Sequence, residues 1–561
     1  MSKVSTNVLS FLKERTDEFK DKAALGMKDK YGWVEYTYGG LSLMSRKIAS
    51  YLIDELQVKK QEKISIISES RVEFGAVFFA SVIAGATFVP FDIKLTIYEL
   101  TSIATDCEPS ILFVSNSYLK VAKELQAKIP SIKKIILLDD DPSEDREFET
   151  IHSIPNNYTT KFRHRSLKST ALIIYTSGTT GKPKGVQTTF QNLLYQMTDL
   201  KIELEEVFKK DTDVNILSIL PMNHLFELTF GFATFLNMGY SIYYTKSLRP
   251  KDVLAVMREK NIKFMCTVPS FFRMLKMQFE SDLAKESKFK QALFKFNFHF
   301  VAKALPFAWL KKILFKDIHK QFGNKFYGFV SGGAPMDLEM GKYFFRIGIN
   351  ALQAYGLSEA SPVVSTNLCK KYNLHSVGTP LKSFEIKIDS QTNELMVKGP
   401  AVMKGYYKQE ELTKEVITED GWLHTGDIAK IGKGGEIYIT GRIKNMIVLA
   451  GGKKVFPEEI EAVVEKSEII KEVCAFSMLK QQGEKKGSEE VAIVVVPSDD
   501  LASQYDKKTV EEMLKAEVKK KSMMLCQYKR PTNIIVYFGE LPRTATKKVK
   551  RREVSDLVCA K

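Results

Sequence analysis

Apolar residues along this chain gather into short runs of strand length that alternate with stretches of helical spacing. The runs at 63–68, 86–91, 111–114, 134–138, 171–175, 214–220 and 264–268 read as buried strands. Helix-like stretches lie between several of them, as at 43–55 and 252–260. Alternation of this kind argues for α/β layers on largely parallel sheets. The longest apolar stretch, 74–91, contains Gly85 and Pro90 and is bounded by Glu73 and Asp92. A helix capped near Gly85 and followed by a buried strand accounts for it better than a membrane span does.

Composition then narrows the picture. At 561 residues, with 44% hydrophobic and 11% aromatic positions, the chain can build several cores, and wholesale disorder is excluded. The net charge of +16 favours anionic partners such as nucleotides, acidic carriers or a membrane surface. The charge is uneven. Residues 285–325 hold ten lysines against two acids, interleaved with eight phenylalanines and Trp309, and residues 519–552 hold eleven basic residues against Glu540. The first of these segments reads either as an amphipathic surface facing anionic lipid or as a helical subdomain with aromatics inward and lysines in water. The six cysteines (107, 266, 369, 474, 526 and 559) stand singly, which suggests neither a zinc site nor a disulfide framework. A polar, helix-like start without a signal-peptide core points to a cytoplasmic protein, peripheral at a membrane's inner face if 285–325 touches lipid. A boundary falls at 441–445, dividing a large domain, 1–440, from a small α+β domain, 441–561.

The sharpest chemical signal is the run from Tyr175 to Gly185, YTSGTTGKPKG. A buried strand runs into glycines, hydroxyls and lysines, a composition suited to cradling polyphosphate with backbone amides, side-chain donors and positive charge. It is not a Walker A loop, because Lys182 is followed by Pro183 rather than by a hydroxyl residue opening a helix. Further along, His224 lies in PMNHLFE, a glycine turn forms SGGAP at 331–335, and QAYGLSE spans 353–359. WLHTGD closes on Asp427, Arg442 opens RIKN, and a lysine pair stands at 547–548. Read alone, several of these admit plain structural roles: a core histidine, a strand-to-helix connection, a turn cap.

In this order along nearly the whole chain, the motifs resemble those of the adenylate-forming superfamily, and most of all its long-chain fatty acyl-CoA synthetases. The resemblance implies an acyl-adenylate made from ATP, then a thioester with coenzyme A. Nucleotide contacts would come from Thr176, Ser177, Gly178, Thr179, Thr180, Gly181, Lys182 and Lys184, from Gly333, Ala334 and Pro335, and from Gln353, Ala354, Tyr355, Gly356 and Ser358. Thr179 and Glu359 would share Mg²⁺, a hard cation suited to oxygen donors. Asp427 would accept the ribose hydroxyls with Arg442 as its partner, and His224 would line the acyl site. Lys548 would act at the reacting phosphate, with Lys547, which takes the place of the family's usual glycine, as the second candidate. Lys444 occupies the hinge position, and Gly451 and Gly452 the loop that receives the thiol. Transfer to acyl carrier protein is the alternative, and the basic 519–552 segment would suit either acceptor. A nucleic-acid-binding reading finds no motif.

Overall fold

The computed structural model describes residues 8–28, 32–140, 147–159, 162–176, 183–209, 211–305, 307–334, 336–368, 373–449, 454–479, 489–543 and 549–559. The chain forms two compact units, one of residues 1–385 with 397–423, the other of 386–396 with 424–561.

The first unit carries two large sheets. One has eight strands, in the order Gly405–Tyr406, Lys184–Thr189, Thr170–Thr176, Thr87–Pro90, Lys63–Ile67, Ile111–Val114, Lys134–Leu137 and Glu149–Thr150. From Thr170–Thr176 to Glu149–Thr150 its neighbours pair parallel, and at the other edge Lys184–Thr189 and Gly405–Tyr406 turn antiparallel. The second sheet has nine strands. Its central neighbours Asn350–Gly356, Gly328–Ser331, Phe264–Thr267, Asn215–Ser218 and Ser241–Tyr244 are all parallel. Strands buried on both faces explain why the sequence shows continuous apolar runs rather than alternation.

The 74–91 stretch is resolved as expected. Val72–Ile83 is a helix with every residue buried, Gly85 takes φ +71°, and Thr87–Pro90 is a strand. Phe74 and Phe78 pack edge-on against Phe88, while Phe78 and Phe79 meet Phe232. A left-handed residue ends the helix without penalty only where no Cβ is carried. Among the described residues no helix is long and apolar enough to cross a membrane.

Among the described residues, 285–325 carry helical pieces at Lys288–Phe296, Asn297–Val301, Ala302–Ala304, Ala308–Leu314 and Lys316–Gln321. Phe298, Phe315 and Phe322 are buried in the core, but Phe289, Phe296, Phe300, Phe307 and Trp309 face outward. The expectation of aromatics inward and lysines outward therefore holds for only part of the segment.

The second unit is α+β, as read from sequence. The strand pair Leu423–Ile431 and Ile437–Arg442 is antiparallel, and a cut at 440/441 runs through its second strand. Beyond it, Ile470–Leu479, Glu489–Pro497 and Asn533–Val536 form a three-stranded sheet packed on the helices Pro457–Val464 and Lys507–Ser522 through Ile460, Val464, Ile493, Val495, Leu514 and Val518.

Candidate active site

In an open parallel sheet, ligands gather at the carboxyl ends of the strands. In the nine-stranded sheet those ends carry three of the expected segments. His224 follows Asn215–Ser218, Gly333 and Ala334 follow Gly328–Ser331, and Tyr355 and Gly356 end the neighbouring strand. Ser331 stands opposite Gln353 in the register, so the SGG turn and the QAYG segment leave the sheet side by side. Gly333 takes φ +79° and is exposed with Ala334. A ring on Phe226 fills the space above Gly332, 3.0 Å from where a Cβ would stand, which seats the His224 turn against the SGG turn. At Gly356 a Cβ would lie 1.8 Å from the carbonyl oxygen of Pro362, so the antiparallel return strand can approach only a glycine.

Gln353 is placed differently from a free nucleotide ligand. Its amide Nε2 donates to the carbonyls of Leu374 (3.0 Å) and Ser376 (3.2 Å), and its own N–H donates to Asn367 Oδ1 (2.7 Å). That side chain organises the loop behind the site, while Ala354 is buried beside it.

Glu359 sits in the short helical turn Ser358–Ala360 and is tied at two points. Its carbonyl accepts from Met403 N–H (2.8 Å), and its Oε1 accepts from the hydroxyl of Tyr406 (2.8 Å). Tyr406 in turn pairs with Val186, and Lys184 Nζ lies 5.2 Å from the Tyr406 ring centroid. Asn192 pins the same segment by donating to the carbonyls of Pro400 and Val402, both at 2.8 Å. One short strand thus brings Glu359 and Lys184, 175 positions apart in sequence, to a common aromatic ring. Burial and then the Glu359 charge push the Tyr406 phenol well above its ordinary pKa, so it remains a hydrogen-bond donor.

Thr176 and Lys184 face each other as the last pair of an antiparallel hairpin, and the segment 177–182 between them is the expected phosphate loop. The strand after the loop, where a Walker A loop has a helix, agrees with the sequence reading. Ser177, Gly178, Thr179, Thr180, Gly181, Lys182, Pro335, Gly451, Gly452 and Lys548 lie outside the described residues. The feet of two of these segments are described. Ile447 and Val448 pair with Val455 and Lys454 around 450–453, and Arg543 bridges Val549 around 544–548. Behind the latter, Arg551 Nη2 grips both carboxylate oxygens of Glu461 at 2.6 and 2.7 Å.

Within the second unit, Asp427 and Arg442 are directly opposed in the register, and Arg442 Nε lies 2.7 Å from Asp427 Oδ1. Asp427 is buried; Arg442 is partly exposed. Sequence reasoning missed Glu394, whose Oε1 accepts from Gly426 N–H (2.7 Å) and whose Oε2 lies 2.8 Å from His424 Nδ1. It fixes the HTGD turn from a neighbouring strand. Lys444 is exposed in the turn Ile443–Asn445.

His224 is half-buried, and its N–H donates to Pro221 O at 3.1 Å. The apolar run after it forms the wholly buried π-helical segment Glu227–Thr234. Its first residue, Glu227, was also missed: the carboxyl is fully buried and accepts from Ser218 Oγ (2.5 Å). Burial pushes its pKa up to about 8, against the opposing pull of the Ser218 bond.

Among the described residues no group of three or more histidine, cysteine, aspartate or glutamate side chains is arranged to hold a metal. The donor chemistry at Glu359 nevertheless fits Mg²⁺. Its Oε2 accepts no hydrogen bond among the described residues, and a single hard oxygen suits an ion that keeps its waters and phosphate ligands.

Fatty acyl-CoA synthetase B of Dictyostelium discoideum is 29% identical over 503 residues, covering 82% of this chain and 72% of its own. The chloroplastic long-chain-fatty-acid–acyl-carrier-protein ligase AEE15 of Arabidopsis thaliana is 28% identical over 541 residues, covering 82% and 72%. The fold is shared with ATP-bound MatB from Rhodopseudomonas palustris, at 23% identity and a TM-score of 0.77, over 98% of this chain and 99% of that one. The AMP-binding enzyme family model matches residues 12–407, a stretch that runs from the first helix through the phosphate hairpin and Glu359 to the strand of Tyr406, and the chain belongs to that family.

Proposed function

We propose that this protein activates a long-chain fatty acid with ATP through an acyl-adenylate and passes the acyl group to the thiol of coenzyme A, releasing AMP and pyrophosphate. The observation that carries the reading is the joining of Glu359, Tyr406 and Lys184 beside a hairpin loop of glycines, hydroxyls and lysines. An oxide ion is too poor a leaving group for a free carboxylate to be an acyl donor. Attack of the fatty carboxylate on the α-phosphorus makes AMP the leaving group, and the obstacle is the approach of an anion to a polyanion. Preorganised positive charge therefore matters most. Lys182 and Lys184 are assigned to the phosphates, Lys548 to the carboxylate and α-phosphate oxygens, and Asp427 with Arg442 to the ribose. Tyr355 offers a face to the adenine, Ser358 a hydroxyl, and His224 a place near the reacting carboxylate. Thr179 and Glu359 would hold magnesium, which when bound neutralises phosphate charge.

The second step needs Lys548 out of the thiol's approach. A turn about Lys444 exchanging the 544–548 segment for the Gly451–Gly452 loop meets that need. The domain boundary at 440/441 is proposed in this sense, as the place where the chain bends. Long-chain preference is supported by the name of the Arabidopsis relative AEE15, a long-chain-fatty-acid ligase. Each added pair of buried methylenes favours binding by about fifteen-fold. The Arabidopsis relative and the net +10 of 519–552 favour a second reading, with acyl carrier protein as acceptor.

Pyrophosphate release with a chain-length series of fatty acids, run with coenzyme A and with holo-acyl carrier protein, tests both readings. Release that rises with chain length and turns over with coenzyme A is expected. A strong preference for the carrier protein replaces the first reading by the second, and no release with any acid contradicts both.

A further inference from the structure

We propose that the outer faces of the helices at 288–314 dock on an anionic lipid bilayer. The pieces Lys288–Phe296 and Asn297–Val301 run on as one helical stretch with two apolar faces. Phe294 and Phe298 turn inward, stacking on each other at 5.8 Å and meeting Phe315 and Tyr343. On the opposite side, at spacings of four, three and four, Phe289, Leu293, Phe296 and Phe300 form an outward stripe. Phe289 is 76% and Phe300 67% exposed. A helix at a water-facing surface has one apolar face, not two.

The helix Ala308–Leu314 is turned inside out. Trp309 is 60% and Ile313 66% exposed, four residues apart on its outer side. Lys311 is 4% exposed, with Nζ 4.0 Å from the ring centroid of Phe345, and Lys312 donates to the carbonyl of Phe326 at 3.1 Å. Burial lowers the pKa of both lysines. A helix that hides lysines and shows a tryptophan matches surroundings that are apolar outside.

The occupant follows from the charge around the stripe. Lys285, Lys288, Lys290, Lys295, Lys303, Lys316 and Lys320 are exposed, while Glu286 and Asp317 are the segment's acids. Aromatic rings among lysines suit the headgroup boundary of an anionic membrane, where rings enter the acyl edge and ammonium groups meet phosphates. A second copy of the chain fits less well, because a two-fold interface would set the same lysines against each other.

The full chain sedimented with vesicles of phosphatidylcholine mixed with phosphatidylglycerol, and with pure phosphatidylcholine vesicles, tests this. Preferential binding to the anionic vesicles is expected. Phe296→Ser, Phe300→Ser and Trp309→Ser together should weaken it at least about thirty-fold. Lys288→Gln, Lys295→Gln and Lys303→Gln should each weaken it about five-fold on anionic vesicles only. All six positions are exposed, so the aromatic variant and each lysine variant should keep the wild-type urea midpoint. Equal binding to neutral vesicles, wild-type binding by the aromatic variant, or self-association abolished by that variant without vesicle binding would each overturn the proposal. Vesicle binding needs no catalysis, so its failure leaves the ligase reading untouched.

Discussion

Glu359 is held by a residue that no motif announces, Tyr406. The Tyr406 hydroxyl donates to one carboxylate oxygen, and the proposed magnesium role falls to the other, so Tyr406→Phe should free the carboxylate to rotate. Loss of such an orienting partner typically costs about 10–100-fold. The apparent magnesium requirement of pyrophosphate release should rise within that range in the variant while the fold remains intact, and an unchanged magnesium titration would remove Tyr406 from the site. Glu227 offers a different test. Its carboxyl titrates near about 8 in the folded chain against 4.5 as the ordinary value, so between those limits the folded state holds a proton that the unfolded state has lost. That contribution to stability is complete below about pH 4.5 and is lost as pH rises through about 8. Glu227→Gln keeps a neutral group beside Ser218. Isothermal denaturation should show wild-type stability falling roughly 3–4 kcal/mol more than the variant's between about pH 5 and 8. Parallel pH curves would contradict it. The sequence motifs singled out Glu359, Asp427 and Arg442, and the structure gives each a defined partner: Tyr406 for Glu359, and Asp427 and Arg442 each other. Tyr406, Glu394 and Glu227 were not singled out, because each acts through a partner on another strand or turn, and strand pairing leaves no local signature.

At the scale of elements, the proposed site rests on how closely two strands of the one chain pass. Gly356 has no room for a side chain against Pro362, and the obstacle is backbone rather than a flexible side-chain tip. Gly356→Ala should therefore shift the return strand, cost about 2–3 kcal/mol by chemical denaturation, and weaken ATP binding together with stability. A neutral substitution would mean that the strands part without disturbing Glu359. The parallel strands and the buried helix Val72–Ile83 were readable, since burial on both faces forces continuous apolar runs. The hairpin carrying the expected phosphate loop was half readable: Pro183 after Lys182 ruled out a Walker A loop, but the pairing of Thr176 with Lys184 is a structural fact. The helix Ala308–Leu314 was not readable. Trp309 and Ile313 have the spacing of a core-facing stripe, and only tertiary packing shows that they point outward while Lys311 points in.

For the whole molecule, the proposed mechanism asks one chain to present two different loops to one reaction centre in turn. Lys444→Pro, in an exposed turn, should leave adenylate formation largely intact and suppress thioester formation; equal loss of both steps would argue against a bend at this position. Beneath that lies the central claim, that a carboxylate is activated on ATP before any thiol takes part. The direct measurement is exchange of labelled pyrophosphate into ATP, with a long-chain fatty acid and magnesium present and no acceptor added. Exchange that requires the fatty acid, and that rises with its chain length, is the predicted result. Absence of exchange with every acid tried, from a protein that still binds ATP, would contradict it.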